Sequence, residues 1–313
     1  MKKNLDIIFM GTPDFAVPSL KALHHRHHRV MLVVTQPDRP KGRGRKLVSP
    51  PVKVIAQEYG YECLQPTLVS DPHVKKALVR LQPDLFVVIA LGHILPEKLL
   101  QIPRLGAVNI HASLLPKYRG PAPIQWAIIN GEDETGVTTM LMDKGMDTGA
   151  ILLTARTQIQ ADDTTAHLQD RLADMGAGLL IETLSQLTAG TLTPQPQDQR
   201  QATYAPLLRK ADGRIQWNTP AASIETFIRG MSPWPGAFTF DGDKRLKIFK
   251  SDTLAAAADA LPGTVVKGFP DELRIATGEG VLSILEIQGA SGKRLPIRDY
   301  LRGHPIAVGT VFH

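Results

Sequence analysis

The chain has 313 residues, of which 43 % are hydrophobic, enough for one large domain or two ordinary ones with a proper core, and this excludes a disordered or fibrous protein. No apolar run approaches the roughly 20 residues of a membrane span, and Met1-Lys2-Lys3-Asn4-Leu5-Asp6 lacks the apolar centre of a signal peptide, so a soluble, cytoplasmic protein is expected with no membrane partner. The single cysteine, Cys63, excludes an internal disulfide and is read as core, while the formal charge of +6 and pI near 9.4 favour a polyanionic partner.

The first 110 residues alternate aliphatic runs with longer helical patterns. Leu5 to Met10, Val30 to Thr35, Leu85 to Ala90 and Ala107 to His111 read as strands, and Pro18 to His27, Pro51 to Tyr59 and Pro72 to Leu81 as helices. Near-continuous apolar strands separated by helices predict a mostly parallel sheet covered on both faces, a Rossmann-like, doubly wound α/β unit. Strand one runs into Gly11-Thr12-Pro13-Asp14-Phe15-Ala16, where only the first glycine of a dinucleotide fingerprint is present. Pro13 and Phe15 obstruct a pyrophosphate there, which sets NAD aside and leaves a tight structural turn or a substrate contact. His24, His25, His27 and His28 scatter round the end of helix one, as an exposed helix end does and a metal site does not.

Between the second strand and helix, Arg39, Lys41, Arg43, Arg45 and Lys46 put five cations into eight positions, interleaved with glycines. That composition predicts a solvated loop rather than a packed element, and one suited to ordering against a nucleic acid. Further on, Gly136 to Met142 and Ala150 to Thr157 read as strands and Thr165 to Leu187 as a long helix. The polar stretch from Ala189 to Arg200, with two prolines and no periodicity, reads as a linker. This divides the chain into a first domain over 1–189, a linker over 190–206 and a second domain over 207–313. The second domain opens with a helix, Ala221 to Met231, followed by short strands at Arg245 to Lys250, Thr264 to Lys267, Leu273 to Ala276 and Val281 to Ile287. Short strands at close spacing predict a small OB-like β-barrel. On its first strand, Arg245 and Lys247 share one face and Lys244 and Lys250 the other, which is either a phosphate-facing surface or a solvated strand.

The chemical signal lies in Val108-Asn109-Ile110-His111. Residues i and i+2 of a strand project to one face, so Asn109 and His111 stand together at the carboxyl edge of the sheet, where open α/β folds bind ligands. A lone His at a strand end is commonly structural. The Asn-x-His pair is followed, however, by a proline-bounded loop and then by Met140-Leu141-Met142-Asp143-Lys144-Gly145-Met146-Asp147-Thr148-Gly149, which offers two carboxylates. Either Asp143 or Asp147 can serve as a turn residue, and one of them beside the imidazole would fix its tautomer and stabilise its charge. Leu91, Gly92 and Ile94, with Met140 to Asp143, flank the same edge and can wall a pocket for a flat ring, though all are also good core residues.

Asn109, His111 and Asp147, the run Ser113-Leu114-Leu115-Pro116-Lys117-Tyr118-Arg119-Gly120, Gly11-Thr12-Pro13-Asp14-Phe15, Thr35-Gln36-Pro37-Asp38-Arg39-Pro40, Gly42-Arg43-Gly44 and Trp234-Pro235 together resemble the methionyl-tRNA formyltransferases over nearly the whole chain. The resemblance implies a formyltransferase fold and transfer of a formyl group from 10-formyltetrahydrofolate, without a metal, to the amino group of methionyl initiator tRNA. It implies that Asn109, His111 and Asp147 form the catalytic set and that Ser113, Leu114, Leu115 and Pro116 lie at the folate, beside the pocket expected from Leu91, Gly92, Ile94, Met140 and Asp143. The basic loop, through Lys41, Arg43, Arg45 and Lys46, and the second domain, through Lys247, would then contact the tRNA, with the enzyme acting as a monomer. One departure stands out: Ala90-Leu91-Gly92-His93 occupies the place where the family pattern has Ala-Tyr-Gly. Two other readings stay open, a formyltransferase of small amines or sugar nucleotides (or a hydrolase of the donor), and a non-catalytic RNA-binding protein with a relic folate site.

Overall fold

The computed structural model describes residues 4–313 except 42, 43, 45, 257, 258 and 291, and of Lys41 the backbone alone. In chain order the elements begin with β1 (Asp6–Gly11), α1 (Val17–His25), β2 (Arg29–Val34), β3 (Arg39–Lys41), β4 (Lys46–Val48), α2 (Pro51–Glu58), β5 (Cys63–Leu64), α3 (Pro72–Leu81), β6 (Leu85–Ile89), α4 (Glu97–Leu100) and β7 (Ala107–His111). They continue with α5 (Pro123–Ile129), β8 (Glu134–Leu141), β9 (Ile151–Gln158), α6 (Thr165–Ala189), α7 (Ala221–Met231), β10 (Ala237–Asp241), β11 (Lys244–Leu254), β12 (Val265–Lys267), β13 (Leu273–Ala276), β14 (Val281–Gln288), β15 (Leu295–Pro296) and α8 (Ile297–Gly303). Two compact units interleave along the chain. The first takes Met1–Gly120, Thr135–Thr157 and Gln169–Tyr204, and the second Pro121–Glu134, Gln158–Leu168 and Ala205–His313. Among the described residues no helix is long and apolar enough to cross a membrane.

The first unit is built on a seven-stranded sheet of order β5-β2-β1-β6-β7-β8-β9. Strands β5, β2, β1, β6 and β7 run parallel to one another, and β8 runs antiparallel to β7. All of β6 is buried, as continuous apolar runs in a twice-covered sheet require. Val74 and Leu78 of α3, one turn apart, pack with Ile8, Met10 and Phe86 of the sheet; each fully buried side chain of this size contributes about 1.5–3 kcal/mol. The helix starts where Asp71 accepts a hydrogen bond from the His73 N–H at 2.8 Å with Pro72 in the first turn, and it stops at Gln82, whose φ of 46° leaves the right-handed region. The chain builds outward from β1 through β2 to β5, then returns to place β6 on the other side of β1. The carboxyl ends of β1 and β6 therefore flank a topological switch point. Gly11 and Ile89 face each other there, and a Cβ on Gly11 would lie 3.0 Å from the Ile89 carbonyl and 2.9 Å from the Ala16 Cβ, so this glycine serves the close approach of strand and turn.

The segment read as a solvated loop forms an antiparallel hairpin, β3 with β4, pairing Arg39 with Val48 and Lys41 with Lys46. A hairpin ladder uses backbone groups alone, so polar composition does not forbid it. Its base is tied by Asp38, which accepts from Lys53 Nζ at 2.8 Å, Gln65 Nε2 at 2.7 Å and Ser49 Oγ at 3.3 Å. The Gln65 and Lys53 hydrogen bonds hold the Asp38 carboxyl below the ordinary carboxylate range.

The second unit carries a six-stranded antiparallel sheet of order β10-β11-β14-β13-β12, with β15 beside β14. It is the half-barrel form of the OB-like architecture. Ile224, Ile228 and Met231 of α7 pack with Leu246, Ile248, Ile275 and Ile284 of the sheet and with Tyr300 and Leu301 of α8. Helix α5 belongs to this unit, and Gly230 is where α7 meets it: a Cβ there would lie 2.6 Å from Ile129 and 3.0 Å from the Gln125 carbonyl. On β11 the register slips around Phe249, a bulge that leaves Lys250 exposed and turns Ser251 inward. Arg245 and Lys247 lie on the other side from buried Leu246 and Ile248, and the Arg245 guanidinium sits 3.7 Å above the Phe238 ring.

Candidate active site

Strand β7 delivers Asn109 and His111 to the carboxyl edge of the first unit's sheet, opposite Met140 and Thr138 of β8. Asn109 Nδ2 donates to the Val88 carbonyl of β6 at 3.0 Å, and its Oδ1 is buried without a hydrogen-bond partner. An amide so placed has one N–H fixed and still presents a donor and an acceptor. Buried polar atoms are nearly always satisfied, so an orphan at this position marks a place where a ligand supplies the missing bond.

His111 is 7 % exposed. Its Nε2 lies 2.8 Å from the Tyr118 carbonyl, and its Nδ1 lies 3.7 Å from Asp147 Oδ2. Both ring nitrogens thus face oxygen acceptors. Asp147 Oδ2 accepts from the Gly120 N–H at 2.8 Å. Asp147 has φ 54°, a left-handed conformation Asp tolerates at a local cost. The loop's geometry is enforced at Gly149, where a Cβ would lie 1.6 Å from the Leu141 carbonyl. Asp143, the other carboxylate of the loop, spends Oδ1 on the Gly145 N–H at 2.9 Å and the Thr148 hydroxyl at 2.6 Å. The two carboxylates therefore divide the work, Asp143 shaping the turn and Asp147 reaching the histidine.

Asn109, Asp147, Leu91, Ile94, Met140 and Asp143 all line a cavity of about 200 Å³ at this edge, together with Val88, Leu95, His93, Met142 and the 144–146 segment. Drug-sized pockets run to roughly 300–1,000 Å³, so the cavity accepts one ring system and leaves the rest of a longer ligand across its mouth. Ile94 and Met146, 82 % and 54 % exposed, stand there. His111, Gly92 and the 113–116 run do not line the cavity; His111 reaches its edge through Asp147. Gly92, at φ 78°, sits against Gln36, and Gln36 Nε2 and Thr12 Oγ1 each donate to the Leu91 carbonyl at 3.0 Å. The Ser113 hydroxyl donates to the Lys117 carbonyl at 2.6 Å, the Ser113 carbonyl accepts from Thr138 at 2.7 Å, and the Leu115 N–H donates to Thr138 at 3.2 Å. Leu114 packs at Gly136, and Pro116 accepts from the Thr203 N–H. The run thus braces the loop that carries the Tyr118 carbonyl to His111. Thr12 and Gln36 escaped the reading of residues one by one, since each acts on a backbone carbonyl; their only signal was membership of the Gly-Thr-Pro-Asp-Phe and Thr-Gln-Pro-Asp-Arg-Pro runs.

Of the residues expected at tRNA, Lys46 is exposed on β4 and Lys247 half-buried on β11. Arg43 and Arg45 lie outside the described residues, as does the Lys41 side chain. Among the described residues no three His, Cys, Asp or Glu groups are placed to hold a metal ion.

A doubly wound unit with an Asn and an Asp lining a cavity and a buried His behind the Asp, followed by an antiparallel half-barrel, defines a class. Residues 3–184 match the model described as Formyl transferase, and residues 207–305 the model described as Formyl transferase, C-terminal domain. The methionyl-tRNA formyltransferase of Citrifermentans bemidjiense is 50 % identical over 303 residues, covering 97 % of this chain and 95 % of that one. The chain belongs to the methionyl-tRNA formyltransferase family. Solved structures show the same fold at low identity. An N-formyltransferase from Helicobacter canadensis, solved with folinic acid and dTDP-3-aminofucose, superposes with TM-score 0.67 at 18 % identity over 93 % of this chain and 100 % of that one. HypX from Aquifex aeolicus, solved with tetrahydrofolic acid, gives TM-score 0.64 at 17 % identity over 95 % of this chain and 47 % of that one, so the chain spans about half the length of that protein.

Proposed function

We propose that this chain formylates the amino group of methionyl initiator tRNA with 10-formyltetrahydrofolate as donor, acting in the cytoplasm as a monomer. The observation that carries the reading is the juxtaposition of Asn109, His111 and Asp147, with an unsatisfied buried amide oxygen on Asn109 beside the cavity. The cavity walls suit the donor: Val88, Leu91, Leu95 and Met140 are apolar, and Asn109 offers both an N–H and a free acceptor. The donor supplies a formyl group on nitrogen, whose carbon–nitrogen bond breaks as the amine's bond forms.

The chain's own residues stabilise oxygen charge and move protons. The free Asn109 N–H donates to the formyl oxygen as charge develops on it; losing one such donor typically costs about 2.7–4 kcal/mol of barrier. His111 holds Tyr118 with Nε2, and its Nδ1–H, 3.7 Å from Asp147 and so not committed to a short hydrogen bond, is the second donor. Asp147 Oδ1 accepts no hydrogen bond among the described residues, while Oδ2 is held by Gly120; Asp147 takes the proton from the attacking amine and passes one to the departing nitrogen, worth roughly 10²–10⁴-fold. In this reading residues 1–189 do the chemistry, braced by part of the connecting stretch 190–206, and residues 207–313, through Lys247, hold the tRNA together with the basic segment that carries Lys41, Arg43, Arg45 and Lys46. Leu91, Ile94, Met140 and Asp143 wall the pterin site, with Gly92 and the Ser113–Leu114–Leu115–Pro116 run as its backbone support.

The test is transfer of labelled formyl to methionyl initiator tRNA, with methionyl elongator tRNA and a donor-only control in parallel. Transfer confined to the initiator supports the proposal. Donor consumption without formylated tRNA would replace it with the hydrolase or small-amine reading, and no consumption at all with the binding-protein reading.

A further inference from the structure

The most deeply buried charge in the described first unit is not one of the three catalytic candidates. Arg119 is 1 % exposed and ranks among the largest fully buried side chains. Its Nε and Nη2 donate to Gln197 Oε1 at 3.0 and 2.6 Å, and its Nη1 donates to Gln199 Oε1 at 2.7 Å. The partners are neutral amide oxygens, not carboxylates. Burying a cation is costly, and hydrogen bonds to neutral groups offset less of that cost than an ion pair does. A guanidinium held this way is to be explained by the geometry it enforces.

That geometry leads to the reacting groups. A guanidinium is a donor only, so it fixes which end of the Gln197 amide faces it. The Gln197 oxygen turns to Arg119, and its NH₂ must point the other way, where it donates to the Asp147 carbonyl at 2.9 Å and the Gly149 carbonyl at 2.7 Å. Those two carbonyls bracket the turn in which Asp147 holds φ 54°. The tripeptide 118–120 meanwhile touches both partners of the His–Asp pair. The Tyr118 carbonyl receives His111 Nε2 and the Gly120 N–H holds Asp147 Oδ2. The Arg119 side chain between them reaches the Asp147 backbone through Gln197, and the Arg119 backbone N–H donates to the Thr203 carbonyl at 2.9 Å. Segment 195–204, polar and aperiodic in sequence, is thus the outer brace of the site. Gln195 adds a two-way backbone bridge to Ile151 at 2.8 Å.

We infer that Gln197, oriented by the buried Arg119 guanidinium, is a positioning residue that sets the Asp147 carboxylate against His111 during formyl transfer. The inference rests on the proposed catalytic role of Asp147. It acts on the proton-transfer step and leaves binding of the donor and the tRNA unaltered.

Gln197→Glu in the full-length protein separates the two ends of the amide. The new carboxylate still accepts from Arg119, now as an ion pair, but it has no N–H for the Asp147 and Gly149 carbonyls. The expected result is a fall in kcat of roughly 10- to 100-fold, the scale of a displacement of about 1 Å at a reacting group. KM for donor and tRNA should stay within about twofold, with the fold retained. Arg119→Lys keeps the charge and loses the fork that fixes Gln197, and it should lower kcat in the same direction with the same unchanged KM values. Wild-type kcat in both variants would overturn the inference, and so would losses accompanied by equal rises in both KM values and a lowered Tm, which mark general loosening. Asp147→Asn is run beside them: if it keeps full turnover, the catalytic reading of Asp147 fails and the inference with it, whereas a dead Asp147→Asn beside fully active Gln197→Glu and Arg119→Lys sinks the positioning role alone.

Discussion

Asn109→Ala separates activity from stability. In the folded protein Asn109 makes one hydrogen bond, to the Val88 carbonyl, and carries one buried oxygen with no partner. Removing the side chain forfeits about 1 kcal/mol for the bond and leaves the Val88 carbonyl short of that partner, but it also relieves an unsatisfied acceptor worth about 1–3 kcal/mol. The stabilising and destabilising changes are of similar size, so the net change in stability is expected within about 1 kcal/mol, or roughly 2–4 °C in Tm. The loss of a donor to the formyl oxygen, in contrast, should lower kcat by about 10²–10³-fold. Steady-state transfer to methionyl-tRNA with the donor varied, alongside a thermal melt, reads both quantities. A variant retaining kcat within about threefold would refute Asn109 as an oxyanion donor. A large fall in Tm with little change in kcat would show that the orphan oxygen had been misjudged and that the residue's main role is to stitch β7 to β6.

Gly149→Ala places a methyl where the Leu141 carbonyl stands, 1.6 Å away; the turn carrying Asp147 must move, with an expected stability loss of about 1–3 kcal/mol by denaturant unfolding and a kcat loss of at least about tenfold. Arg43→Ala should raise KM for tRNA with donor KM unchanged, and should reduce the salt slope of tRNA binding by about 1; equal loss toward both substrates would contradict a tRNA role. Burial holds the His28 pKa below 6.5, so the folded state favours its neutral form. Below that pH the unfolded chain binds the extra proton, and the stability His28 contributes is full above about 6.5 and falls as pH drops through the folded value. His28→Asn should flatten the acid side of a stability–pH profile, and an unchanged slope would rule the residue out as a contributor.

Much of this was legible in the residues. Continuous aliphatic runs mark β1, β2, β6 and β7, and the period of two puts Asn109 and His111 on one face. What escaped was carried by backbone groups or by short elements. The histidine's nearest partner is a carbonyl, that of Tyr118, and every residue has one. Helix α5, seven residues of nearly unbroken apolar character, has too few turns for a helical period to be distinguished from a buried strand. The hairpin β3–β4 pairs through its backbone, which a count of lysines and arginines does not register. On β11 the alternation of Lys244 to Lys250 predicts one set of faces, and the bulge at Phe249 resets it midway. Segment 195–204 has no periodicity and reads as a connector, yet its glutamines work through single amide contacts that leave no pattern.

The interleaving of the two units bears on how such a chain can be divided. Three stretches that follow one another in sequence, 121–134, 135–157 and 158–168, belong alternately to the second, first and second unit. Ala122 from the first of these is part of the second unit's apolar cluster, with Trp126 and Ile129 packed against it. A gene fragment beginning at residue 205 would encode the whole antiparallel sheet and still lack part of its own core. Recombination between homologues at the proline-rich stretch would likewise mismatch α5 from one parent with α7 from the other, unless Gly230 and the residues facing it were exchanged together. The place where the sequence is most easily cut is not a seam in the packing.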